Sequence, residues 1–258
     1  KILFIGAKSG NSYLQYLALK KINKHTYFID DRNILFYKKI TDKIFWHISP
    51  FIFENYIYKK IISKVRSSFD IIFIKTGHLI GKKLILELKH KTKKIVCLCN
   101  DNPFVKRDKN RWKLFHQAAQ YYDLIVYQDK SRIKLAKKRG LKNSFLTLPS
   151  YDENTHKKFK VIKLEKIKFK NDIIFIGTWS PQKGSFLFKL KNLGLNFKIY
   201  GTMWNKDKNY NSLKSIIKLG NVKNPNYSKL IQCSKIALCL FSEQNLDTIT
   251  ARSVEIPA

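Results

Sequence analysis

The sequence predicts an α/β protein that contains two Rossmann-like domains in tandem. Short runs rich in β-branched residues alternate with segments of helical periodicity along most of the 258 residues. The strand-like runs are continuously apolar, which is typical of parallel strands that are covered on both faces. A strand that ends in glycine and leads into a helix occurs at the start of the chain and again after residue 170. This repetition predicts two domains of one class.

The first predicted domain comprises residues 1–150. Its strands are expected at 1–6, 25–30, 69–77, 93–101, 123–129 and 144–150. Its helices are expected at 11–22, 79–92, 111–122 and 130–140, the last of which ends on a glycine.

Residues 151–170 are polar, basic and without a clear period, so they are predicted to form a linker. The second domain, 171–258, has predicted strands at 171–179, 196–204 and 235–241, and predicted helices at 184–194 and 227–234. Three strands are fewer than an open sheet of this class usually has. This domain is therefore expected to be incomplete, and a chain that begins with Lys1 is expected to be trimmed at both ends.

The formal net charge of +33 raises the question of nucleic-acid binding, because clustered basic residues release counterions from a nucleic acid. Only seven of the 51 basic residues are arginines, and the lysines are spread along the whole chain. This distribution predicts that the positive charge is diffuse. Its expected function is to attract anionic lipid or phosphorylated substrates. No apolar run is long enough to span a bilayer, and the start lacks the layout of a signal peptide. The sequence thus predicts a cytoplasmic protein, with peripheral contact to an anionic membrane left open.

Glycines and polar residues follow the first predicted strand in the stretch FIGAKSGNS. Gly6, Ser9 and Gly10 would place backbone N–H groups and a helix N-terminus at the carboxyl edge of the sheet, where anions bind. The three-glycine spacing of a dinucleotide-binding fingerprint is absent, which disfavours a nicotinamide cofactor. Asp101 and His78 follow two further strands and are expected at the same edge. His78 could act as a general base, although Asp101 also fits an ordinary turn and a lone histidine is more often structural.

A second segment in which a strand leads through a glycine into a helix is DIIFIGTWSPQKGSF. It would likewise place backbone N–H groups and a helix N-terminus at the carboxyl edge of a sheet. Gly177 and Thr178 end its strand, and Lys183 stands at the start of the next helix. A cation at this position can neutralise a diphosphate leaving group. The alternative is a solvated lysine on a loop.

Charged residues gather in the last segment, DTITARSVEIPA. If TARSVEIPA begins a helix, Arg252 and Glu255 lie three residues apart on one face, and Asp247 precedes Glu255 on the same segment with seven residues between them. Glutamate can accept hydrogen bonds from ribose hydroxyls, while arginine can face phosphate charge. The alternative is a helix-capping pattern with Thr250 ahead of the helix.

Six segments in this order resemble the CgeB-like branch of the GT-B glycosyltransferases, which is named after a spore maturation protein. They are the strand, glycine and helix start, CNDNPF, LPSYDENTH, IIFIGTWSPQKGSFLFKL, FKIYGTMW with GNVKNPNYSKLIQCSKIALCLF, and DTITARSVEIPA. The last resembles the Arg-x-x-Glu-x-x-Ala-x-Gly segment of this family, cut before its glycine. The resemblance implies a GT-B fold with the nucleotide sugar in a cleft between two domains, against the second domain.

The resemblance also implies site residues. Glu255 matches the second acid of an E-x7-E pair and would hold the ribose, while Asp247 replaces the first glutamate with a shorter acid. Lys183 replaces an arginine that is common in this branch, which keeps the charge but loses bidentate phosphate binding. Gly177, Thr178 and Arg252 complete the donor set.

The expected activity is therefore transfer of a sugar, of hexosyl type, from a nucleotide diphosphate donor to a hydroxyl in a cell-surface glycan, a lipid-linked acceptor or a protein. Asp247 and His78 are the expected catalytic residues, and Gly6, Ser9, Gly10 and Asp101 form the expected acceptor-side loop. Neither a metal nor a cofactor is expected, because no paired acids or Cys/His cluster suits an ion. Two alternatives remain open: a basic nucleic-acid-binding α/β protein, and a catalytically inactive GT-B scaffold that binds a partner.

Overall fold

A computed structural model describes residues 1–36 and 38–258, with the backbone alone at residues 38 and 39. The chain divides into two compact units, Lys1–Leu148 and Pro149–Ala258. Each unit contains a sheet of parallel strands with helices, so the α/β class with two Rossmann-like units is confirmed.

The first unit contains a six-stranded sheet with the order β2-β1-β3-β4-β5-β6. Its strands are β1 Ile2–Gly6, β2 Thr26–Asp30, β3 Phe69–Lys75, β4 Thr92–Cys99, β5 Leu124–Tyr127 and β6 Ser144–Leu146. Its α-helices are α1 Gly10–Ile22, α2 Lys38–His47, α3 Glu54–Ile62, α4 Lys82–Lys89, α5 Lys113–Ala118 and α6 Lys130–Lys138. Short 3₁₀ turns at Arg32–Ile34, Pro50–Phe53, Lys106–Trp112 and Ala119–Tyr121 complete the unit.

The central strands of the first unit form its core. β1 pairs with β3 in a register that runs from Ile2↔Ile71 to Ile5↔Ile74. The side chains of residues 3–5 of β1 are almost fully buried. Such continuous burial is expected for a parallel strand with helices on both faces. Because every strand runs in one direction, the carboxyl ends of β1 to β4 lie at one edge of the sheet.

The second unit contains a four-stranded parallel sheet with the order β10-β7-β8-β9. Its strands are β7 Asn171–Ile176, β8 Phe197–Gly201, β9 Ile217–Leu219 and β10 Ser234–Leu238. Its α-helices are α7 Lys163–Phe169, α8 Pro181–Asn192, α9 Tyr210–Leu213, α10 Asn226–Gln232 and α11 Arg252–Glu255, with 3₁₀ turns at Trp204–Lys206 and Glu243–Asn245. Trp204, Leu187 and Phe197 form the centre of one of its two apolar clusters.

Residues 151–170 contact α10 of the second unit at several points. The Ser228 hydroxyl donates to the Thr155 carbonyl over 2.9 Å, and Lys229 forms an ion pair with Glu165 of α7. The Gln232 side chain receives the Phe159 N–H and donates to the Phe159 carbonyl. These contacts tie the segment to the second sheet and its helices. In the part of the chain that the structure describes, no helix combines the length and the apolar character that crossing a membrane requires.

Candidate functional site

The loop after β7 is held close to the end of β8 in the second unit. The Gly177 N–H donates to the Tyr200 carbonyl over 2.9 Å, and the Trp204 indole Nε1 donates to the Gly177 carbonyl over 2.9 Å. Gly201 has φ +152°, and a Cβ at this position would lie 2.0 Å from the Gly177 carbonyl oxygen. Only glycine fits there, so the backbone of the Gly177 and Thr178 loop is fixed against its neighbour.

The loop leads directly into the N-terminus of α8. Ser180 is the N-cap residue, but its side chain makes no capping hydrogen bond, and its buried Oγ lacks a partner among the described residues. The Thr178 and Thr202 hydroxyls lie 3.3 Å apart at the carboxyl ends of β7 and β8. Lys183 stands in the first turn of α8, with Nζ 5.8 Å from the centre of the Phe175 ring. Hydroxyls, a cation and the free N–H groups of a 12-residue helix are therefore close together, which suits an anion.

Arg252 contacts the same edge from α11. Its Nε donates to the Ile176 carbonyl over 3.4 Å, immediately before Gly177. Its guanidinium lies 4.8 Å from the centre of the Tyr227 ring, and its Nη1 donates to Glu255 Oε2 over 2.6 Å. The Arg252 and Glu255 pair thus forms at the three-residue spacing that the sequence predicts, with the arginine against the end of β7.

The Glu255 carboxylate is buried and held by several groups. Its side chain is 2% exposed, it receives the Tyr227 hydroxyl over 3.0 Å, and its Oε1 lies 3.7 Å from His156 Nε2. Burial raises the pKa of Tyr227 well above its usual value, so the hydroxyl stays protonated and donates. A role for Glu255 in ribose binding stays a prediction. In the structure this carboxylate fixes Arg252 and Tyr227.

The sequence did not single out Tyr227 or His156. His156 follows the LPSYDENT stretch and receives the Asp152 N–H on Nδ1 over 3.0 Å, which leaves Nε2 toward Glu255. The position of His156 at the end of the LPSYDENTH stretch was a sequence signal that could have indicated it. No comparable sequence signal marks Tyr227. Asp247 accepts a hydrogen bond from Asn245 Nδ2 over 2.5 Å, and its catalytic role stays a prediction.

In the first unit, the loop after β1 approaches two polar side chains. A Cβ at Gly6 would lie 2.7 Å from Ser12 Oγ and 2.8 Å from Lys75 Cβ, so glycine is required there. Gly10 begins α1 with φ +52°, and Ser9 is the N-cap residue without a side-chain capping bond. Asp101, after β4, lies 3.6 Å from Arg107. The acceptor-side role of Gly6, Ser9, Gly10 and Asp101 stays a prediction.

Lys75 is an unexpected buried amine at the end of β3. The residue is 6% exposed, and neither its Nζ nor the nearby Ser12 Oγ has a hydrogen-bond partner among the described residues. Burial lowers the pKa of Lys75 to about 8, and the Cys99, Cys97 and Asp101 side chains oppose this shift. A charged amine buried without a partner destabilises the fold, which is typical of a group kept for function.

We expect Lys75→Met to raise the free energy of unfolding at pH 7 by about 1 to 3 kcal/mol, because it removes the cost of a buried charge. The folded pKa of about 8 lies below the unfolded value near 10.5, so that cost is fully present below pH 8 and disappears toward pH 10.5. Urea titrations from pH 7 to 10 should therefore show rising stability for the wild type and a flatter profile for Lys75→Met. The exposed Lys94→Met is the control. A wild-type profile that matches the Lys75→Met profile would contradict the prediction.

His78 is 8% exposed and lies edge-on to Trp112, with ring centres 6.0 Å apart. Burial, followed by the charges of Arg111 and Arg32, lowers the pKa of His78 well below its usual value. The imidazole is therefore neutral at pH 7. A role for His78 as a general base stays a prediction. Within residues 1–36 and 38–258, no group of three or more His, Cys, Asp or Glu side chains is arranged to hold a metal ion.

Comparison with known proteins gives matches among solved structures. No family model matches the chain, and no curated protein does. An α,α-trehalose-phosphate synthase (UDP-forming) from Burkholderia xenovorans, in complex with glucose-6-phosphate, matches with TM-score 0.56 and 8% identity, over 91% of this chain and 78% of that one.

Two further solved structures match over a similar length. A UDP-N-acetylglucosamine 2-epimerase from Rickettsia bellii matches with TM-score 0.55 and 8% identity, over 92% of this chain and 72% of that one. A putative UDP-N-acetylglucosamine 2-epimerase from Listeria monocytogenes matches with TM-score 0.52 and 11% identity, over 92% of this chain and 73% of that one. The shared architecture is the GT-B fold, so the chain has a GT-B fold of two Rossmann-like units. At these identities the likeness extends to the fold alone.

Proposed function

We propose that the protein is a glycosyltransferase that moves a sugar from a nucleotide diphosphate donor to an acceptor hydroxyl. The observation that carries the proposal is the edge of the second sheet, where Arg252 is bound to the carbonyl that precedes Gly177 and the N-terminus of α8 follows. The CgeB-like resemblance and the neighbours with the same fold, whose names include UDP-forming and UDP-sugar enzymes, support the same reading.

The chemistry of the transfer fits this edge. The bond from the anomeric carbon to the diphosphate oxygen breaks, a bond to the acceptor oxygen forms, and the acceptor proton passes to a base. Negative charge grows on the departing diphosphate, so cations and N–H dipoles that already face it lower the barrier. We assign this task to Lys183, Arg252 and the first N–H groups of α8, with Thr178 as a hydroxyl donor. Glu255 would hold the ribose, and Asp247 and His78 are the proposed catalytic groups.

We propose that the phosphate charge is met by these side chains without a metal ion or a further cofactor. The acceptor would be a glycan, a lipid-linked sugar or a protein, in cell-surface glycan synthesis or protein glycosylation. Peripheral contact with an anionic membrane fits the large excess of lysine. Activity that persists in excess chelator is the expected result, and complete, reversible loss on chelation would contradict metal independence.

The test is a panel of sugar nucleotides, measured by calorimetry for binding and by nucleoside diphosphate release for turnover. We expect at least one donor to bind and Lys183→Gln to weaken its affinity roughly 10- to 100-fold, the range for a lost charge-assisted hydrogen bond. Lys214→Gln is the matched control, because it removes the same charge from an exposed position in the same unit. Equal affinities for the two variants would contradict the assigned phosphate site. No binding across the panel would favour the inactive scaffold.

A further inference from the structure

The first unit contains a basic pocket of about 140 Å³ that the donor site does not use. We define the basic pocket by six of its lining residues: Arg32, Thr41, Asp42, Trp46, His78 and Arg111. Arg32 and His78 follow the carboxyl ends of β2 and β3, while Thr41, Asp42 and Trp46 belong to α2. Two of the seven arginines of the chain therefore face one small cavity.

Arg111 retains donors for a ligand. The buried Asp108 carboxylate is bound by Arg107 Nε and Nη2 over 2.7 and 2.9 Å and by the Trp112 indole over 2.9 Å. Arg111 lies 3.8 Å from the same carboxylate, beyond hydrogen-bond distance, and its guanidinium is 5.3 Å from the centre of the Trp112 ring. The charge of Asp108 is thus met mainly by Arg107.

The Arg32 guanidinium also retains donors for a ligand. Its side chain is exposed, and it forms no ion pair with any carboxylate among residues 1–36 and 38–258 that the structure describes. Both guanidiniums lie close enough to His78 for their charges to lower its pKa. His78 is more than nine-tenths buried, and its Nδ1 has no hydrogen-bond partner in the described part of the chain. A buried polar atom without a partner is costly, and a polar ligand in the pocket would offset that cost.

The remaining residues indicate what kind of anion would fit. Among the lining residues, Asp42 supplies one carboxylate against two guanidiniums, while the Asp31 and Asp108 carboxyls lie near Arg32 and Arg111 outside the lining. The wall of the pocket therefore presents one more guanidinium than carboxylate, beside a neutral imidazole. A carboxylate accepts hydrogen bonds from hydroxyl groups, and an indole ring packs against the apolar face of a sugar. A pocket for inorganic phosphate alone would need neither group.

We propose that the basic pocket binds a sugar that carries one anionic group, either a phosphate or a carboxylate, as the acceptor. Arg32 and Arg111 bind the anion, Asp42 accepts from a ring hydroxyl, and Trp46 packs against the ring. The acceptor role rests on the proposed function. The binding itself does not, because it needs neither donor nor turnover.

Calorimetry on the full chain, at fixed ionic strength, tests four probes: glucose-6-phosphate, glucuronate, glucose and inorganic phosphate. We expect one of the two acidic sugars to bind at least tenfold more tightly than glucose and than inorganic phosphate, and the tighter of the two identifies the anionic group. Because the bound anion opposes the charges of Arg32 and Arg111, we also expect it to raise the pKa of His78 in an NMR titration.

The variant for this test is Arg32→Gln, because an exposed arginine can be replaced without loss of the fold. Its affinity for the preferred acidic sugar should fall at least fivefold. Arg66→Gln is the matched control, since Arg66 is exposed, carries the same charge and lies outside the pocket. Equal weakening by both variants, or no preference for an acidic sugar, would overturn the proposal. Binding of sugar nucleotides, measured on the same sample, tests the proposed donor site separately.

Discussion

Trp204→Ala is expected to lower the free energy of unfolding by about 3 to 5 kcal/mol, the usual cost of truncating a fully buried aromatic side chain. Trp204 has no exposed surface, and its ring meets that of Phe175 at 5.8 Å and 77° in the apolar cluster of the second unit. Alanine would leave a cavity there. Urea denaturation monitored by circular dichroism measures the loss.

Trp204→Phe separates packing from hydrogen bonding at the same position. Phenylalanine retains most of the ring but loses the indole N–H that binds the Gly177 carbonyl over 2.9 Å. We expect a smaller cost of about 1 to 2 kcal/mol, because a carbonyl loses its partner. We also expect weaker donor binding, because the Gly177 and Thr178 loop loses a support. A cost below 1 kcal/mol for Trp204→Ala would contradict the packing role of the ring, and unchanged donor affinity in Trp204→Phe would show that the indole N–H does not support the loop.

The central strands could be predicted from the sequence because they are buried on both faces. β1, β3 and β7 each contain four consecutive Ile, Leu or Phe residues, which is a strong local signal for a buried strand. The predicted strands of both domains are confirmed, although their ends differ by several residues. The Arg252 and Glu255 pair could also be predicted, because a spacing of three residues places two side chains on one helical face.

The elements that were missed have little local signal. β9 has only three residues, of which two are exposed, and it depends on pairing with β8. α7 lies in a lysine-rich stretch and is fixed to α10 by the contact of Glu165 with Lys229. α2 and α3 lie within residues 38–62, for which the sequence pattern predicts no element. In each case tertiary contacts outweigh local propensity.

The candidate sites were only partly predictable for a related reason. Glycines and charges after strands mark the carboxyl edge of a sheet, so Gly177, Thr178 and Lys183 could be identified from their order alone. The partners of Glu255 could not be identified from the sequence, because Tyr227 and His156 are separated from it by 28 and 99 positions. The buried amine of Lys75 could not be predicted either, because Lys75 ends a strand that is otherwise typical of an apolar β-strand. Its burial becomes visible only when the neighbouring strands are in place.

The second large effect is expected at Glu255, where Glu255→Ala should lower the free energy of unfolding by about 3 kcal/mol. The carboxylate is buried and receives the Tyr227 hydroxyl and Arg252 Nη1, over 3.0 and 2.6 Å. Removal leaves a buried hydroxyl and a guanidinium without their acceptor. The Arg252 side chain is 36% exposed, so water can solvate part of its charge and keep the loss at the lower end of the range for buried pairs.

Glu255→Gln retains one acceptor oxygen for Tyr227 and Arg252, while it removes the charge and replaces the other oxygen with an NH2 group, so its cost to stability should be about 1 kcal/mol. That difference makes the variant suitable for testing the donor role, since the fold remains intact. If Glu255 binds the ribose, or holds Arg252 against the diphosphate, nucleotide affinity measured by calorimetry should fall by roughly 1 to 3 kcal/mol. Glu165→Gln is the matched control, because it removes a carboxylate of the same unit that is bound by Lys229 and the Ile162 N–H rather than by Arg252. Unchanged nucleotide affinity together with lowered stability would mean that Glu255 serves only the internal network with Tyr227, and the proposed donor site would then rest on Lys183, Arg252, Thr178 and the N-terminus of α8.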